Sequence, residues 1–510
     1  MNSMHSVDDQ HGENRPPARN VVLICTDQWR GDCLSIDGHP VVRTPYLDAL
    51  ATGGARFTRA YSATPTCVPA RMALLTGLSQ TSHRRVGYAD GIPFDVETTM
   101  AGEFSRSGYQ TQAIGKMHYS PERGRVGFDD VLLHDGYLRF SRHRERPVDF
   151  YDDYLTWLRD QAGESAVSDY FDDGIDCNSN VARPWNRRES LHPTNWVVSE
   201  ATRWLYRRDP SVPFFLYLSF HRPHPPYNPP AWAFEQYLSA PDHEPPIGDW
   251  EQVLEPMRQD HRPDAAVAHY DQQTMNRARA GYYGNITHID HQIERFRATL
   301  AEFGLLEDTI IVFTSDHGEM LGDHGMWRKG YGYEGSARVP LIVSGPGISH
   351  GTVIDEIVEL RDIMPTLLAA AGLPAPVDLD GADLTSLLHA DTHESLSPRS
   401  HLHGEHVLTA QLSQHWIRSG RWKYLWFSHD GSEQLFDLAE DPQERTQLAH
   451  TAAATAESAD ALARCRTLLI EELTPRPEGF VADGSLVAGR PVRLLLPPAT
   501  EKEDSEYSEA

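Results

Sequence analysis

A cysteine opens a segment that is typical of a helix. Cys67 begins the pentapeptide Cys-Val-Pro-Ala-Arg71, and an Ala/Leu-rich run then leads to Gly77. Pro69 has a fixed φ and no N–H group, so it suits a first helical turn, and Gly77 can end the helix. The free N–H groups of a helix N-terminus favour an anion, at which Arg71 can also point. The pattern predicts a nucleophile for an anionic ester; the alternative is a buried small hydrophobe, the usual role of a lone cysteine.

Polar residues follow five short apolar runs of the kind found in strands buried on both faces of a parallel sheet. The apolar runs are 21–25, 111–114, 214–218, 310–313 and 339–343. The polar residues after the first four are Asp27-Gln28, Lys116 with His118, His221 with His224, and Asp316-His317. An Asp after a strand is more often a turn or a cap than a ligand. Because ligands bind beyond the carboxyl ends of such strands, we nevertheless expect these side chains to converge on one site.

These motifs, in this order, resemble those of the sulfatase family. Cys67 to Arg71 is similar to the family's C-x-P-x-R signature, with Ala70 where family members more often have Ser, and 115–118 is similar to its G-K-x-H motif. The resemblance covers roughly residues 18 to 450. It implies that a formylglycine-generating enzyme oxidises Cys67 to formylglycine during maturation. The hydrated aldehyde, rather than a thiol, is then the nucleophile.

The resemblance also implies a metal site beside residue 67. Asp27, Gln28, Asp316 and His317 match the positions that bind one divalent cation next to the formylglycine, so the implied ligands are these four and Cys67. Gln28 stands where many sulfatases have a second Asp, as in the branch that resembles phosphonate monoester hydrolases. Oxygen ligands favour Ca²⁺ or Mg²⁺ and the imidazole leaves Mn²⁺ open, and we expect Ca²⁺.

Four further residues receive catalytic roles from the resemblance. Lys116 is expected to bind sulfate oxygens, and His118 to hold the second hydroxyl of the nucleophile and help break down a covalent intermediate. His224 is expected to contact the sulfate or the leaving group, although His221 is close enough in sequence to take that role. Lys329 is expected to bridge the sulfate and the leaving-group oxygen. Such a positive pocket suits a sulfate monoester, since electrostatic stabilisation is usually the largest catalytic contribution.

We therefore expect a sulfatase that hydrolyses an aryl, alkyl or sugar sulfate, a small-molecule ester. The alternative within the same superfamily is a phosphonate monoester or phosphodiester hydrolase, which Asp27-Gln28 with Asp316-His317 suggests. A second alternative is a binding protein for sulfate esters in which Cys67 is never oxidised. The residues at Lys116 and His118 favour the sulfatase.

Composition argues against several classes of partner. The 510 residues include 46 Lys and Arg against 73 Asp and Glu, for a formal net charge of −27. An acidic surface disfavours nucleic acid and anionic membranes, while an oligomer stays possible. Five cysteines without a disulfide rhythm suggest a reducing compartment. Because residues 1–20 hold no apolar signal segment and no run approaches a membrane span, we expect a cytoplasmic location.

Strand and helix patterns alternate over most of the chain, which favours an α/β fold. Pro45–Thr52 and a stripe from Ile286 to Phe303 are predicted helices. The expected fold is a central, mostly parallel sheet sandwiched by helices, as in the alkaline phosphatase-like superfamily, plus a small C-terminal antiparallel sheet with a helix. The expected domains are a disordered arm (1–18), a catalytic domain (19–390), a C-terminal α+β subdomain (391–485) and a tail (486–510).

One histidine-rich segment has no place in the predicted pocket. His401-Leu-His403-Gly-Glu405-His406 contains residue types that bind metals. We interpret it as a polar strand end near the substrate mouth, with a metal cluster outside the main pocket as the alternative.

Overall fold

A computed structural model describes residues 19–136, 148–171, 175–241, 244–389, 399–409 and 413–498. The predicted N-terminal arm, the predicted boundary at 390 and the last twelve residues lie outside this part of the chain.

A central sheet carries the large N-terminal part of the chain. Within the described residues its eight strands are β1 (Asn20–Asp27), β2 (Gly54–Tyr61), β3 (Gln110–Gly115), β4 (Asp130–Leu133), β5 (Phe214–Pro223), β6 (Thr309–Ser315), β7 (Arg338–Ser344) and β8 (Thr352–Glu359). They are ordered β4-β3-β5-β1-β6-β7-β2-β8. The pairs from β4 to β6 and the pair β2–β8 are parallel. The sheet is thus mostly parallel, as predicted.

All five predicted strands are present, but β7 runs against the expected direction. It pairs antiparallel with both β6 and β2. A continuous apolar run reports burial on both faces and not strand direction, so the sequence pattern could not distinguish the two orientations. The ends of β1, β3, β5 and β6, which are parallel neighbours, still meet at one edge of the sheet.

Helices cover both faces of the central sheet. Within the described residues the helices are α1 (Pro45–Thr52), α2 (Cys67–Thr76), α3 (Met100–Arg106), α4 (Val148–Tyr151), α5 (Asp153–Ala162), α6 (Ser165–Phe171), α7 (Pro193–Arg207), α8 (Ala231–Leu238), α9 (Gln272–Glu302), α10 (Glu334–Ala337), α11 (Ile363–Ala370) and α12 (Ala456–Leu473). Alternate residues of β1 divide between the two cores. Val22 and Ile24 pack with α1, α7 and α9, whereas Val21 and Leu23 pack with α2, α3 and α11. Period-two alternation thus gives each helix layer its own apolar face.

The C-terminal subdomain is an antiparallel sheet with one long helix. Its strands are β9 (Leu402–Val407), β10 (Ser413–Ser419), β11 (Trp422–Phe427) and β12 (Glu433–Asp437), in the order β12-β11-β10-β9. A turn at Gly420, whose φ is 57°, joins β10 to β11. One sheet face packs on α12 and the other on aromatic residues of the catalytic domain.

The chain after α12 returns to the catalytic domain. A small hairpin, β13 (Val481–Ala482) with β14 (Ser485–Leu486), follows α12. Leu496 then donates its N–H to the carbonyl of Arg84 at 2.8 Å, and Val86 donates to Leu494 at 3.1 Å. The predicted tail is therefore attached over its described part. Among the described residues, no helix combines the length and apolar character that a membrane crossing requires.

Candidate active site

The N-terminus of α2 places Cys67 in a buried polar cluster. Thr66 is extended, with φ −144° and ψ 154°, and Cys67 is the first helical residue, while Gly77 ends the helix with φ 68°. The predicted helix is confirmed at both ends. Cys67 is 2% exposed, and its Sγ lies 3.3 Å from Nε2 of His317 and 3.6 Å from Oδ1 of Asp27.

Three of the predicted metal ligands surround this sulfur. Asp27 ends β1 and Asp316-His317 follow β6, which is the parallel neighbour of β1. The ligand atoms of Cys67, Asp27, Asp316 and His317 all lie within 4.8 Å of one another. Nδ1 of His317 lies 2.9 Å from the Gly318 carbonyl oxygen, so that Nδ1–H donates there and Nε2 faces the cluster. Two carboxylates and one inward imidazole nitrogen fit a divalent cation.

Burial raises the pKa of both carboxyl groups, and neighbouring charges decide the net direction. For Asp27 the charges of Lys116, His224 and Lys329 and the hydrogen bond of His317 together outweigh burial, so its pKa lies well below the usual range. For Asp316 burial and the charge of Asp27 dominate, so its pKa is raised. Burial lowers the pKa of His317, but Asp316, Cys67 and Asp27 together outweigh it and raise this pKa to about 10. Crowding of two buried carboxyl groups is the situation that a bound cation relieves.

Gln28 links this cluster to Lys329. Its φ of 75° lies in the left-handed region, which a non-glycine residue adopts only when its surroundings hold it there. Its N–H donates to Oδ1 of Asp316 at 3.2 Å, and its side-chain oxygen accepts from Nζ of Lys329 at 2.7 Å. Its amide nitrogen donates to Glu319. Gln28 stays a predicted metal ligand whose oxygen is bonded to Lys329 in this structure.

Arg71 is held by protein groups through two of its three guanidinium nitrogens. Its Nε donates to Oδ2 of Asp316 at 2.9 Å, and Nη1 donates to the carbonyl of Lys116 at 2.8 Å and to Oγ of Ser219 at 2.7 Å. Arg71 is 2% exposed. These contacts take up Nε and Nη1, while Nη2 is buried without a hydrogen-bond partner among the described residues, so the expectation that Arg71 points at an anion stays a prediction. Its geometry makes it a positioning residue for a metal ligand and for Lys116.

Lys116 follows β3 and reaches the cluster. Its Nζ forms an ion pair with Asp27 and lies 3.8 Å from Sγ of Cys67. Burial lowers the pKa of Lys116, but the charges of Asp27 and Cys67 outweigh burial and raise it. The ammonium therefore stays charged beside the nucleophile position.

His118 lies beside Cys67. Like Gln28, it has a left-handed backbone conformation, with a φ of 55°. Its Nε2 is 3.2 Å from Oη of Tyr88 and 3.3 Å from Oδ1 of Asp90. Its Nδ1 is buried without a hydrogen-bond partner among the described residues. Burial, and next the charge of Lys116, lower the pKa of His118, but the hydrogen bond to Asp90 and the proximity of Cys67 outweigh them and raise it.

His221, near the end of β5, and His224, just after it, lie near Asp27. The backbone N–H of His224 donates to the Asp27 carbonyl at 3.0 Å, and Nδ1 of His224 lies 2.8 Å from the carbonyl oxygen of Pro225. Burial, and next the charge of Lys329, hold the pKa of His224 well below the usual range. Nδ1 of His221 is 4.0 Å from Oδ2 of Asp27. The role predicted for His224, with His221 as its alternative, stays a prediction.

Several residues at the site carried no recognisable sequence signal. Asp90 lies in a loop, and Glu319, which is fully buried, binds Gln28 from the segment after β6. Gln414 on β10 forms two hydrogen bonds with the loop after Lys329. Its side chain accepts from the N–H of Gly332 at 3.1 Å and donates to the carbonyl of Gly330 at 3.0 Å. Each depends on a contact across the fold, so no local pattern could identify it.

Comparison with known proteins agrees with this geometry. A family profile described as Sulfatase matches residues 19–373, and one described as N-sulphoglucosamine sulphohydrolase, C-terminal, matches residues 322–467. An arylsulfatase of Clostridium perfringens is 46% identical over 484 residues, which cover 93% of this chain and 98% of that protein. A choline-sulfatase of Rhizobium meliloti is 31% identical over 449 residues, covering 84% of this chain and 82% of that protein.

Comparison with solved structures agrees with the sequence comparison. The crystal structure of a phosphonate monoester hydrolase of Agrobacterium radiobacter aligns with a TM-score of 0.72 at 29% identity, covering 90% of this chain and 95% of that chain. The Sulfatase profile spans well over half of the 510 residues and includes Cys67, Lys116 and Asp316. The chain therefore belongs to the sulfatase family and is a sulfuric ester hydrolase.

Proposed function

We propose that the chain hydrolyses an aryl, alkyl or sugar sulfate monoester through residue 67 in its formylglycine form, beside one bound divalent cation. The observation that carries the proposal is the convergence on Cys67. Its Sγ lies within 4 Å of Lys116, Asp27 and His317, at the positive end of α2. The sulfur marks where the oxygens of a formylglycine hydrate would lie, and the hydrate supplies an oxygen nucleophile.

The electrostatics at residue 67 suit a nucleophile. Burial and the charge of Asp27 raise the pKa of Cys67, but the charges of Lys116, Lys329 and His317 outweigh them and hold it well below the usual range. The same positive charges favour the ionised form of any acidic group placed there, including one hydroxyl of an aldehyde hydrate.

A divalent cation at Asp27, Asp316 and His317 would supply Lewis-acid polarisation of the ester oxygens. The donors are two carboxylates and one imidazole, with Gln28 adjacent. We propose Ca²⁺, because hard oxygen donors dominate, with Mn²⁺ and Mg²⁺ as the other candidates. A cation in this position also explains why two buried carboxyl groups lie so close together.

The side chains of this chain can bind the anion and move protons. The positive charges of Lys116 and Lys329 both act on residue 67, and these two side chains would hold the nonbridging oxygens of the ester. The unpartnered Nδ1 of His118 is available to take a proton from a hydroxyl on residue 67. His224 or Lys329 would assist the departing alcohol. Removing Lys116 is expected to lower kcat about 10²–10³-fold, as for other groups that stabilise transition-state charge.

The first test is mass spectrometry of the Cys67 peptide from protein coexpressed with a formylglycine-generating enzyme. The proposal predicts the mass change that replaces CH₂–SH by CHO, and turnover of an aryl sulfate that disappears in Cys67→Ala. Finding only the thiol, with a control substrate of the generating enzyme converted in the same cells, would contradict the proposal. Turnover that is lost after chelation and restored by Ca²⁺ or by Mn²⁺ identifies the metal.

A second candidate function is phosphonate monoester hydrolysis. It is supported by Gln28 at the predicted metal site and by the likeness to the Agrobacterium radiobacter enzyme. The two functions are separated by the ratio of kcat/KM values for an aryl sulfate and a phenyl phosphonate ester on fully modified protein. We expect the sulfate to be preferred, because Lys116 and His118 stand beside the nucleophile.

A further inference from the structure

Three buried metal-binding side chains share one face of the C-terminal sheet. His403 and Glu405 are two residues apart on β9, so they point to the same face. His415 on the antiparallel neighbour β10 pairs directly with Glu405. His403, Glu405 and His415 are 8%, 2% and 2% exposed, respectively. The three side chains, two from β9 and one from β10, therefore lie next to one another on this face and can bind a common ion.

The distances match the requirements of a small cation. Nε2 of His403 is 3.3 Å from Nδ1 of His415, and that Nδ1 is 3.7 Å from Oε2 of Glu405. One ligand atom from each residue can be chosen so that all three lie within 4.8 Å of one another. Ligands about 2.0–2.1 Å from a tetrahedral Zn²⁺ are separated by about 3.3 Å. The cluster therefore needs little rearrangement to close around an ion.

Charged side chains contact the proposed ligands on the side that faces away from the cluster. Oε1 of Glu405 accepts from Nη1 of Arg476 at 2.6 Å, which leaves Oε2 facing the histidines. Oε2 of Glu472 lies 3.7 Å from Nδ1 of His403, the ring nitrogen turned away from the cluster. A carboxylate behind a ligating imidazole orients the ring and increases its basicity.

This cluster is separate from the candidate active site. His406, one residue beyond Glu405, points to the opposite face of β9, where its Nε2 lies 3.0 Å from Oγ1 of Thr66. The three-residue face instead packs under α12 and the segment after it, with the Phe480 ring 5.2 Å from that of His415. The histidine-rich segment predicted near the substrate mouth thus divides between two faces.

We propose that His403, Glu405 and His415 bind one Zn²⁺ ion, with a water molecule as fourth ligand, and that this ion joins β9 to β10 on the sheet face that packs under α12. Two imidazoles and one carboxylate form a borderline donor set that suits Zn²⁺ better than the hard cation expected beside Cys67. The alternative is a metal-free hydrogen bond between the two imidazoles.

The test measures the zinc bound to the full chain carrying Cys67→Ala. This substitution removes the thiol of the candidate active site, which could otherwise bind zinc. The protein is stripped with a chelator, incubated with excess Ca²⁺, titrated with Zn²⁺, dialysed and analysed by elemental mass spectrometry. The proposal predicts one zinc per chain and a zinc-dependent rise in Tm. Adding His403→Gln or His415→Gln abolishes both effects, whereas the matched control His450→Ala on the same subdomain keeps them.

Two outcomes overturn the proposal. One is that the Cys67→Ala chain retains no zinc; the other is that it retains the same zinc after His403→Gln or His415→Gln. If either variant fails to fold by circular dichroism, Co²⁺ absorption of the Cys67→Ala chain decides the question. Intense visible bands of four-coordinate Co²⁺ that Zn²⁺ displaces stoichiometrically support the site, and their absence contradicts it.

Discussion

At the residue scale, two cations of the active site are paired with the carboxylates that are expected to bind the metal. Arg71 is bonded to Asp316, and Lys116 is bonded to Asp27. The two ion pairs differ in which atoms of the cation stay available to another group. Arg71 binds protein groups through Nε and Nη1 and keeps Nη2 without a partner among the described residues, whereas Nζ of Lys116 contacts Asp27 and the nucleophile position. A charged group that shares its partner with a metal can change partners when the metal binds.

This sharing gives a prediction for metal removal. When Asp27 serves as a metal ligand, less of its charge is available to Lys116, which can then turn to an anionic substrate. We therefore expect chelated enzyme to bind free sulfate at least about tenfold more weakly, the equivalent of about 1.4 kcal/mol. Calorimetry with sulfate on the metal-free and metal-loaded Cys67→Ala protein measures this. Equal affinity in the two forms would exclude the exchange of partners.

Asp90 gives a prediction for pH dependence. Its hydrogen bond raises the pKa of His118 against the effects of burial and Lys116. If neutral His118 is the base, activity rises as pH rises through this pKa. Asp90→Asn lowers the pKa, so the acid limb of the kcat/KM profile is expected to move to lower pH, with a roughly tenfold lower plateau from looser positioning.

The control for Asp90 is Asp95→Asn. Asp95 lies in the same loop region but pairs with Arg84 at 2.6 Å on the surface. Its profile should match that of the unaltered enzyme. An acid limb that stays in place in Asp90→Asn would remove Asp90 from the proton-transfer apparatus.

At the element scale, one close approach between β3 and β5 determines where Lys116 lies. Gly115 ends β3 with φ 107°, and an added Cβ would overlap the carbonyl oxygen of Ser219 on β5. That carbonyl also accepts the N–H of Lys116 at 2.9 Å. The strand end thus needs both a left-handed backbone and a residue without a side chain.

Gly115→Ala is expected to reduce stability and activity much more than its matched control, Gly108→Ala. The change forces β3 away from β5, which should destabilise the protein by about 3 kcal/mol or more and lower kcat at least about 10²-fold by displacing Lys116. Gly108→Ala also lies at positive φ, 87°, but its Cβ meets open space. Gly108→Ala should therefore cost about 1–2 kcal/mol with unchanged kcat. Urea unfolding and steady-state kinetics distinguish these results, and equal effects of the two variants would refute the overlap argument.

A carboxyl group at the start of α1 gives a prediction for stability. Asp290 on α9 is fully buried, and its Oδ1 accepts the N–H of Leu47 at 2.7 Å. Burial raises the pKa of Asp290 to about 7. The folded state therefore binds a proton that the unfolded state has released, so this group's contribution to stability is lost as pH rises from about 4 to 7.

Asp290→Asn should remove this loss. We expect the variant to gain stability relative to the unaltered protein as pH rises from about 5 to 8, by about 2–4 kcal/mol. Thermal melts across that range measure the difference. Glu294→Gln, on the same helix but paired with Arg297 at 2.8 Å, is the control and should show no such trend. A pH-independent difference for Asp290→Asn would contradict the argument.

The elements also explain which parts of the fold could be predicted. The five predicted runs are strands because burial on both faces leaves a mostly hydrophobic pattern. β2, β4 and β8 lacked that pattern: β2 includes Arg56, Thr58 and Arg59, β4 has four residues, and β8 begins half-exposed at one sheet edge. The Cys67 helix and the strand-end ligands were predictable because local motifs define them. Asp90, Glu319 and Gln414 were not, because their roles depend on distant segments that only the fold brings together.

At the scale of the whole molecule, the C-terminal subdomain takes part in the active site by holding the loop after Lys329. Trp416 and Phe436 pack with Tyr331 and Tyr333 in one shared core. The two parts of the chain therefore share an interface directly behind a residue that is expected to contact substrate. The subdomain is thus expected to affect catalysis without supplying a side chain to the chemistry.

Gln414→Met tests this connection. The substitution keeps the side-chain length but removes both hydrogen bonds to the 330–332 backbone, leaving a buried N–H and a buried carbonyl unpaired at a cost of about 1–3 kcal/mol each. The loop should shift and carry Lys329 with it, so kcat/KM is expected to fall about 10–100-fold while the far-UV spectrum stays unchanged. Gln447→Met is the matched control, because Gln447 donates to the Ala449 carbonyl within the subdomain at 2.9 Å. If both variants lose activity equally, general loosening of the subdomain explains the effect. A loss confined to Gln414→Met, and absent from a Lys329→Ala background, assigns it to the position of Lys329.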